Sequence, residues 1–120
     1  MTPEELKQRT KDFANRVLKL VDQLPANRVS ARILADQLGR SGTSVAANYR
    51  AACKGRSRAE FIAKLGVVEE EADESQLWIE LIGDNNLIPA KRLAPLHREA
   101  CEITAIIAAS RKSARENARR

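Results

Sequence analysis

The segment SRAEFIAKLGVVEEEADESQLWIELIG, residues 57–83, shows most clearly which fold the chain adopts. Its inward-facing apolar residues recur at three- and four-residue steps and one step of seven, the spacing of one face of an α-helix. They are Phe61, Leu65, Val68, Ala72 and Ile79. Ser57 and Glu60 have the spacing of a capping box, which starts a helix. We therefore predict one amphipathic helix over about 57–83, ended by the polar turn after Gly83.

The same spacing of apolar residues recurs in three other segments. Thr2-Pro3 starts the first of them and Pro25 ends it, whereas the last begins after Pro89. In the second segment the predicted inner arc consists of Ile33, Leu34, Leu38, Val45, Tyr49 and Ala52. We predict helices over about 3–24, 28–53, 57–83 and 90–112, followed by a basic C-terminal tail over about 112–120.

The connections between these long helices are short, which favours antiparallel neighbours. At 120 residues the chain has the length of one domain. The fold class is therefore predicted as all-α, with residues 1–120 forming a single antiparallel up-and-down four-helix bundle.

Charge is distributed unevenly along the chain. Residues 1–65 carry thirteen Lys/Arg and six Asp/Glu, residues 66–90 carry seven Asp/Glu and no Lys/Arg, and residues 91–120 carry eight Lys/Arg and three Asp/Glu. Basic clusters attract phosphate backbones because binding releases condensed counterions. A solvated basic face, partly neutralised by the acidic third helix, is the alternative. The predicted nucleic-acid contacts are Arg40, Arg50, Lys54, Arg56, Arg58, Arg111, Lys112 and Arg115.

The third helix carries a second apolar surface, opposite its inner face. This surface consists of Val67, Leu77, Trp78 and Leu81. A contiguous apolar patch that contains tryptophan is typical of contact sites between proteins. We predict an interface between copies of the chain; the alternative is that Trp78 lies under a neighbouring helix of the same chain.

The sequence lacks the patterns of the common catalytic and metal sites. Di-iron bundles use Glu-x-x-His pairs, whereas Ala94 stands three residues before His97, the one histidine. Cys53 and Cys101 follow no metal spacing and are predicted to be free, buried thiols. We predict no enzyme activity, no cofactor and no metal.

No apolar run has the length of a membrane span. The polar segment from Met1 to Lys11 does not have the apolar core of a signal peptide. We therefore expect a cytoplasmic protein without membrane contacts.

The segment GRSGTSVAAN, residues 39–48, together with the residues around Ser57 and the acidic third helix, resembles a bacterial four-helix-bundle family. That family includes proteins encoded within intervening sequences of large-subunit ribosomal RNA genes, often labelled S23 ribosomal protein. It is similar to the accessory variability protein of diversity-generating retroelements. The resemblance extends from Phe13 to about Arg111. The motif residues are Arg40, Ser41, Ser44, Asn48, Arg56, Ser57 and Glu60.

The resemblance implies a homopentamer whose basic surfaces bind RNA or DNA, and for the retroelement relatives a protein partner such as a reverse transcriptase. After the asparagine the family motif continues Ile-x-Glu-Gly, whereas this chain has Tyr49-Arg50-Ala51-Ala52, which makes the surface more basic. The first functional hypothesis is a non-enzymatic, oligomeric accessory or scaffold protein that binds nucleic acid. The alternative is a structural or regulatory module that binds another protein and no nucleic acid.

Overall fold

The computed structural model describes residues 1–119; Arg120, the last residue of the predicted tail, lies outside the described residues. Its helices are α1 (Pro3–Val21), α2 (Val29–Cys53), α3 (Arg58–Asp84) and α4 (Ala90–Ala118). Each helix packs antiparallel to the next, and α4 returns to α1. The bundle measures 53 × 22 × 20 Å. The predicted all-α, up-and-down four-helix bundle is thus confirmed.

The helix ends follow local capping chemistry. The Glu5 N–H donates to Thr2 Oγ1 at 3.1 Å, which satisfies one of the free amides at the start of α1. At the end of α3, Asn86 adopts a left-handed conformation with φ of 56°. The Leu87 N–H then donates to the Ile82 carbonyl at 3.1 Å, which closes the helix.

Two local predictions were wrong. The segment predicted as a tail from residue 112 is helical through Ala118, because buried Ala114 continues the inner stripe of α4 after Ile107. Ile33 is 55% exposed and does not belong to the inner arc of α2. Leu34 occupies the core side there, and one residue turns the helix by about 100°.

The core is aliphatic and extends along the whole bundle. Gly42 lets α1 and α2 approach closely, since a Cβ at that position would lie 2.7 Å from both Cγ atoms of Val17. Between α2 and α3, the buried hydroxyls of Ser41 and Ser75 share a hydrogen bond of 2.8 Å. No helix in the described part of the chain is both long and apolar enough to cross a membrane.

Polar side chains form several contacts between α1 and α4. Arg9 donates to both carboxylate oxygens of Glu99, at 2.9 and 2.6 Å, and to Glu102 at 2.8 Å. These hydrogen bonds lower the pKa of the Glu99 carboxyl, with the positive charge of Arg9 adding to the effect. Further along, Arg92 donates to Gln23 Oε1. Ion pairs and hydrogen bonds therefore add to the apolar core that α1 and α4 share with the other helices.

Candidate nucleic-acid interface

The fold brings two basic segments that are far apart in sequence to the same end of the bundle. Because the helices alternate in direction, α1 and α3 begin where α2 and α4 end. Arg58 and Phe61 of α3 line one pocket together with Ser113 and Asn117 of α4. The connection from α2 to α3 therefore lies beside the last turns of α4. We call this surface the basic end; it comprises Lys54, Arg56, Arg58, Lys112, Arg115 and Arg119.

The side chains of the basic end point into solvent. Lys54, Arg56 and Arg58 are exposed, as are Lys112 and Arg115. Among residues 1–119, none of these five has a carboxylate within 4.0 Å. Their charges are therefore available to an external anion.

Arg50 stands one turn before the basic end, on α2. It too is exposed and has no carboxylate within 4.0 Å in the described part of the chain. Lys54 follows four residues later, so the two side chains lie on one face of the helix. Cations near a helix C-terminus also interact favourably with the helix dipole. Arg50 and Lys54 thus extend the basic end along α2.

Two predicted contacts are engaged within the chain. Arg111 is half-buried, and its Nη2 lies 3.2 Å from Glu69 Oε1. The two groups form an ion pair, but their orientation does not make a hydrogen bond. Gly66 makes room for it, because a Cβ there would lie 3.2 Å from Arg111 Nη1. Arg40 pairs with Asp36 at 3.0 Å, although its side chain remains 77% exposed. Arg111 therefore joins α3 to α4, and only Arg40 of the two can reach an external ligand.

The motif residues mostly hold the helices in place. Ser57 Oγ accepts from the Glu60 N–H at 3.1 Å, and the Glu60 carboxylate accepts from the Arg56 N–H at 2.9 Å. Asn48 donates to the Ser44 carbonyl and hydroxyl at 3.0 and 2.7 Å. These bonds cap α3 and brace α2. The backbone of Arg56 thus has a structural role, whereas its side chain is exposed.

A basic groove between α1 and α2 was missed by the sequence analysis. Its volume is about 380 Å³, and Lys7 and Lys11 of α1 face Arg50 of α2 across it. Lys7 pairs with the exposed Glu4 at 3.0 Å. The four-residue spacing of the two lysines indicates a common face of α1, but only the packing of α1 on α2 shows that this face adjoins Arg50.

The second apolar surface of α3 is largely covered within the chain. Trp78 and Leu81 pack against the core as half-buried side chains, and Val67 is also half-buried. Leu77 remains 46% exposed. Trp78 Nε1 is buried and has no hydrogen-bond partner among the described residues. The interface between copies of the chain stays a prediction, with Leu77 as its most exposed member.

A larger groove of about 600 Å³ lies between α3 and α4 and contains His97. His97 Nε2 lies 2.8 Å from Glu80 Oε2, and Cys101 Sγ lies 3.8 Å from His97 Nδ1. Burial raises the pKa of the Cys101 thiol, and the charges of Glu80 and Asp73 add to the effect. The thiol is thus kept protonated, which disfavours nucleophilic chemistry. No three His, Cys, Asp or Glu side chains within residues 1–119 are grouped to hold a metal.

Comparison with known proteins places this fold among bacterial relatives. The fold is similar to the crystal structure of a protein with unknown function from the S23 ribosomal protein family, from Bacteroides thetaiotaomicron VPI-5482. The two structures have a TM-score of 0.83 and 30% sequence identity, and the match covers 93% of this chain and 99% of that chain. No curated protein matches the chain. The model of the 23S rRNA-intervening sequence protein family matches residues 4–109. The chain therefore belongs to the 23S rRNA-intervening sequence protein family.

Proposed function

We propose that this protein is a non-enzymatic, self-associating accessory or scaffold protein that binds nucleic acid through its basic end. The observation that carries the proposal is the convergence of the α2–α3 connection and the last turns of α4. Exposed Lys54, Arg56, Arg58, Lys112 and Arg115 share this end without carboxylate partners among the described residues. Such a surface favours a polyanion because each phosphate contact releases condensed counterions.

Self-association strengthens the same proposal. A homo-oligomer, which the family resemblance suggests is a pentamer, presents one basic end per subunit. Once a long ligand is bound to one basic end, the other basic ends are held close to it at a high effective concentration. The free cysteines Cys53 and Cys101 suit a reducing compartment, so we place this function in the cytoplasm. Light scattering over a range of protein concentrations measures the mass; a strictly monomeric result removes assembly from the proposal.

Binding is tested with two variants that carry the same net charge. The first, K54Q/R56Q/R58Q, removes three cations from the basic end. The second, K19Q/R28Q/K91Q, removes three exposed cations near the opposite end. Fluorescence anisotropy with RNA and DNA at about 50 and 200 mM salt compares both variants with the wild-type chain.

The basic-end variant is expected to bind at least about tenfold more weakly at low salt, with a salt slope smaller by about two to three, since each lost phosphate contact removes about 0.9 from the slope on B-DNA. The control variant is expected to bind like the wild type. No binding by the wild type at low salt, or equal losses in the two variants, contradicts the proposal.

A protein partner is the second candidate function. It is favoured by the exposure of Leu77 next to Trp78, whose buried Nε1 lacks a hydrogen-bond partner in the described residues. Under this candidate, L77E abolishes self-association or partner capture while K54Q/R56Q/R58Q has no effect. Light scattering measures self-association, and fluorescence anisotropy with RNA and DNA separates the two functions, because the second function predicts no nucleic-acid binding by the wild type.

A further inference from the structure

The groove between α1 and α2 has a basic rim and a floor of small side chains. Lys7, Lys11 and Arg50 supply the charge, and Ala46 and Ala47 leave the space open. The two lysines lie about 6 Å apart along the axis of α1, a spacing that successive phosphates of one strand can match. Among residues 1–119, no carboxylate lines the groove. Glu4 pairs with Lys7, but its side chain is 83% exposed, and such surface pairs are weak and readily exchanged.

Thr43 gives the groove a hydrogen-bond acceptor. Its hydroxyl proton is already used within α2, because Thr43 Oγ1 donates to the Gly39 carbonyl at 2.8 Å and more weakly to the Arg40 carbonyl at 3.2 Å. A hydroxyl has one proton, so this oxygen can only accept from a ligand in the groove. Phosphate and deoxyribose ring oxygens cannot donate to it. The 2′-hydroxyl of ribose can, and it is the group that distinguishes RNA from DNA.

The groove offers no aromatic ring, among residues 1–119, on which unpaired bases could stack. The four aromatic residues of the chain are either buried, as Phe13 and Tyr49 are, or half-buried, as Phe61 and Trp78 are, and none of them lines this groove. Proteins that bind single strands gain about 1–3 kcal/mol per base from such stacking. In a double helix the bases stack on one another, and only the sugar-phosphate strand needs protein contacts.

We propose that the α1–α2 groove binds one ribose-phosphate strand of double-stranded RNA. This inference rests on the proposed function and names its ligand. Arg50 belongs to the groove and leads along α2 to Lys54, so the bound strand continues from the groove to the basic end. Helix α3, whose residues 69–84 carry seven Asp/Glu, lies diagonally opposite α1, so the groove does not adjoin this acidic segment.

Two sets of variants test the inference by fluorescence anisotropy. The probes are a perfectly paired RNA duplex, a DNA duplex of the same sequence and an unstructured single-stranded RNA. K7Q/K11Q removes the two groove lysines, and K19Q/K91Q removes two exposed lysines near the other end of the bundle. T43V removes the acceptor while keeping the shape of the side chain, and T43S restores it. Circular dichroism checks that each variant remains helical.

The wild type is expected to bind the RNA duplex at least about tenfold more tightly than single-stranded RNA, because the lining of the groove gives unpaired bases no aromatic stacking. K7Q/K11Q weakens duplex binding and lowers the salt slope by about two, whereas K19Q/K91Q does not. T43V is expected to weaken RNA duplex binding roughly fivefold, which corresponds to the loss of one hydrogen bond, and to leave DNA duplex binding unchanged. T43S is expected to bind the RNA duplex as the wild type does.

The outcomes separate this inference from the proposed function. Equal or tighter binding of single-stranded RNA, equal binding of the two duplexes, or equal effects of K7Q/K11Q and K19Q/K91Q overturns the inference. If K54Q/R56Q/R58Q still loses binding in that case, the proposed function stands without it. Absence of binding to all three probes at low salt contradicts both.

Discussion

Replacement of Gly42 by alanine tests how closely α1 and α2 pack. The new Cβ would lie 2.7 Å from both Cγ atoms of Val17 and 2.9 Å from its Cβ, and Val17 is fully buried. Overpacking of this kind costs about 1–3 kcal/mol. Alanine in place of glycine gains up to about 1 kcal/mol within a helix. We therefore expect G42A to lower the free energy of unfolding by up to about 2 kcal/mol, and to be about 1–3 kcal/mol less stable than a variant that gains the same helix propensity without the clash.

Gly39 on the same helix provides the matched control. A Cβ there meets no atom within 4 Å, so G39A gains the helix propensity without a clash and is expected to raise the free energy of unfolding by up to about 1 kcal/mol. Urea denaturation followed by circular dichroism measures both variants at one protein concentration, because assembly makes stability concentration-dependent. In the double variant V17A/G42A the clash disappears, so its loss should be smaller than the sum of the single losses by about 1–3 kcal/mol.

One result would contradict the close packing of α1 on α2. If G42A is as stable as G39A, α1 does not approach α2 as closely as the structure shows. The groove that places Lys7 and Lys11 opposite Arg50 then loses its geometric basis as well.

Three further predictions concern the contacts between helices. R9M should lower the free energy of unfolding at neutral pH by about 1–3 kcal/mol, because it leaves Glu99 without its charged hydrogen-bond partner. The folded-state pKa of Glu99 is lowered, so the stabilising contribution of this pair is present above the unfolded pKa of about 4.3 and is lost as the pH falls through the folded pKa. The free energies of unfolding of R9M and the wild type should therefore converge in acid. Parallel plots of stability against pH for the two proteins refute the assignment. Burial raises the pKa of Glu71, and the charges of Glu74 and Glu70 add to the effect. E71Q should therefore be more stable than the wild type at neutral pH, and this difference should disappear below the pKa of Glu71 in the unfolded chain. Thermal unfolding at several pH values measures both proteins. S75A should cost about 0.5–1.5 kcal/mol by removing the hydrogen bond between the two hydroxyls, which leaves Ser41 with its longer 3.3 Å donation to the Leu38 carbonyl. S41A/S75A should cost little more than S75A in the same denaturation assay, because both variants lack the bond between the hydroxyls.

Much of the fold was readable from the sequence because each helix carries its own signals. Prolines, capping residues and the three- and four-residue apolar spacing are local features, and they predicted all four helices. The errors arose where one side chain depends on a neighbouring element. Ile33 had the correct spacing, but only the packed bundle shows that its side chain is more than half exposed. The end of α4 was placed too early because alanine contributes little to an apolar stripe, although Ala114 is buried.

The candidate site was only partly predictable for the same reason. The pairing of Arg40 with Asp36 spans four residues of one helix and could have been inferred from spacing alone. The pairing of Arg111 with Glu69 depends on the alignment of α4 on α3, and the groove of Lys7 and Lys11 depends on that of α1 on α2. Such alignments between helices are set by packing that one sequence does not display.

Lysine acetylation with and without bound RNA duplex, read by mass spectrometry, tests the central claim most directly. Each lysine reports on its own surroundings, whatever the number of subunits. The account predicts that the duplex protects Lys7, Lys11 and Lys54, which lie in the groove and at the basic end, and leaves exposed Lys19 and Lys91 reactive. No fall in the reactivity of Lys7, Lys11 and Lys54 when saturating duplex is added, or protection confined to Lys19 and Lys91, would contradict it.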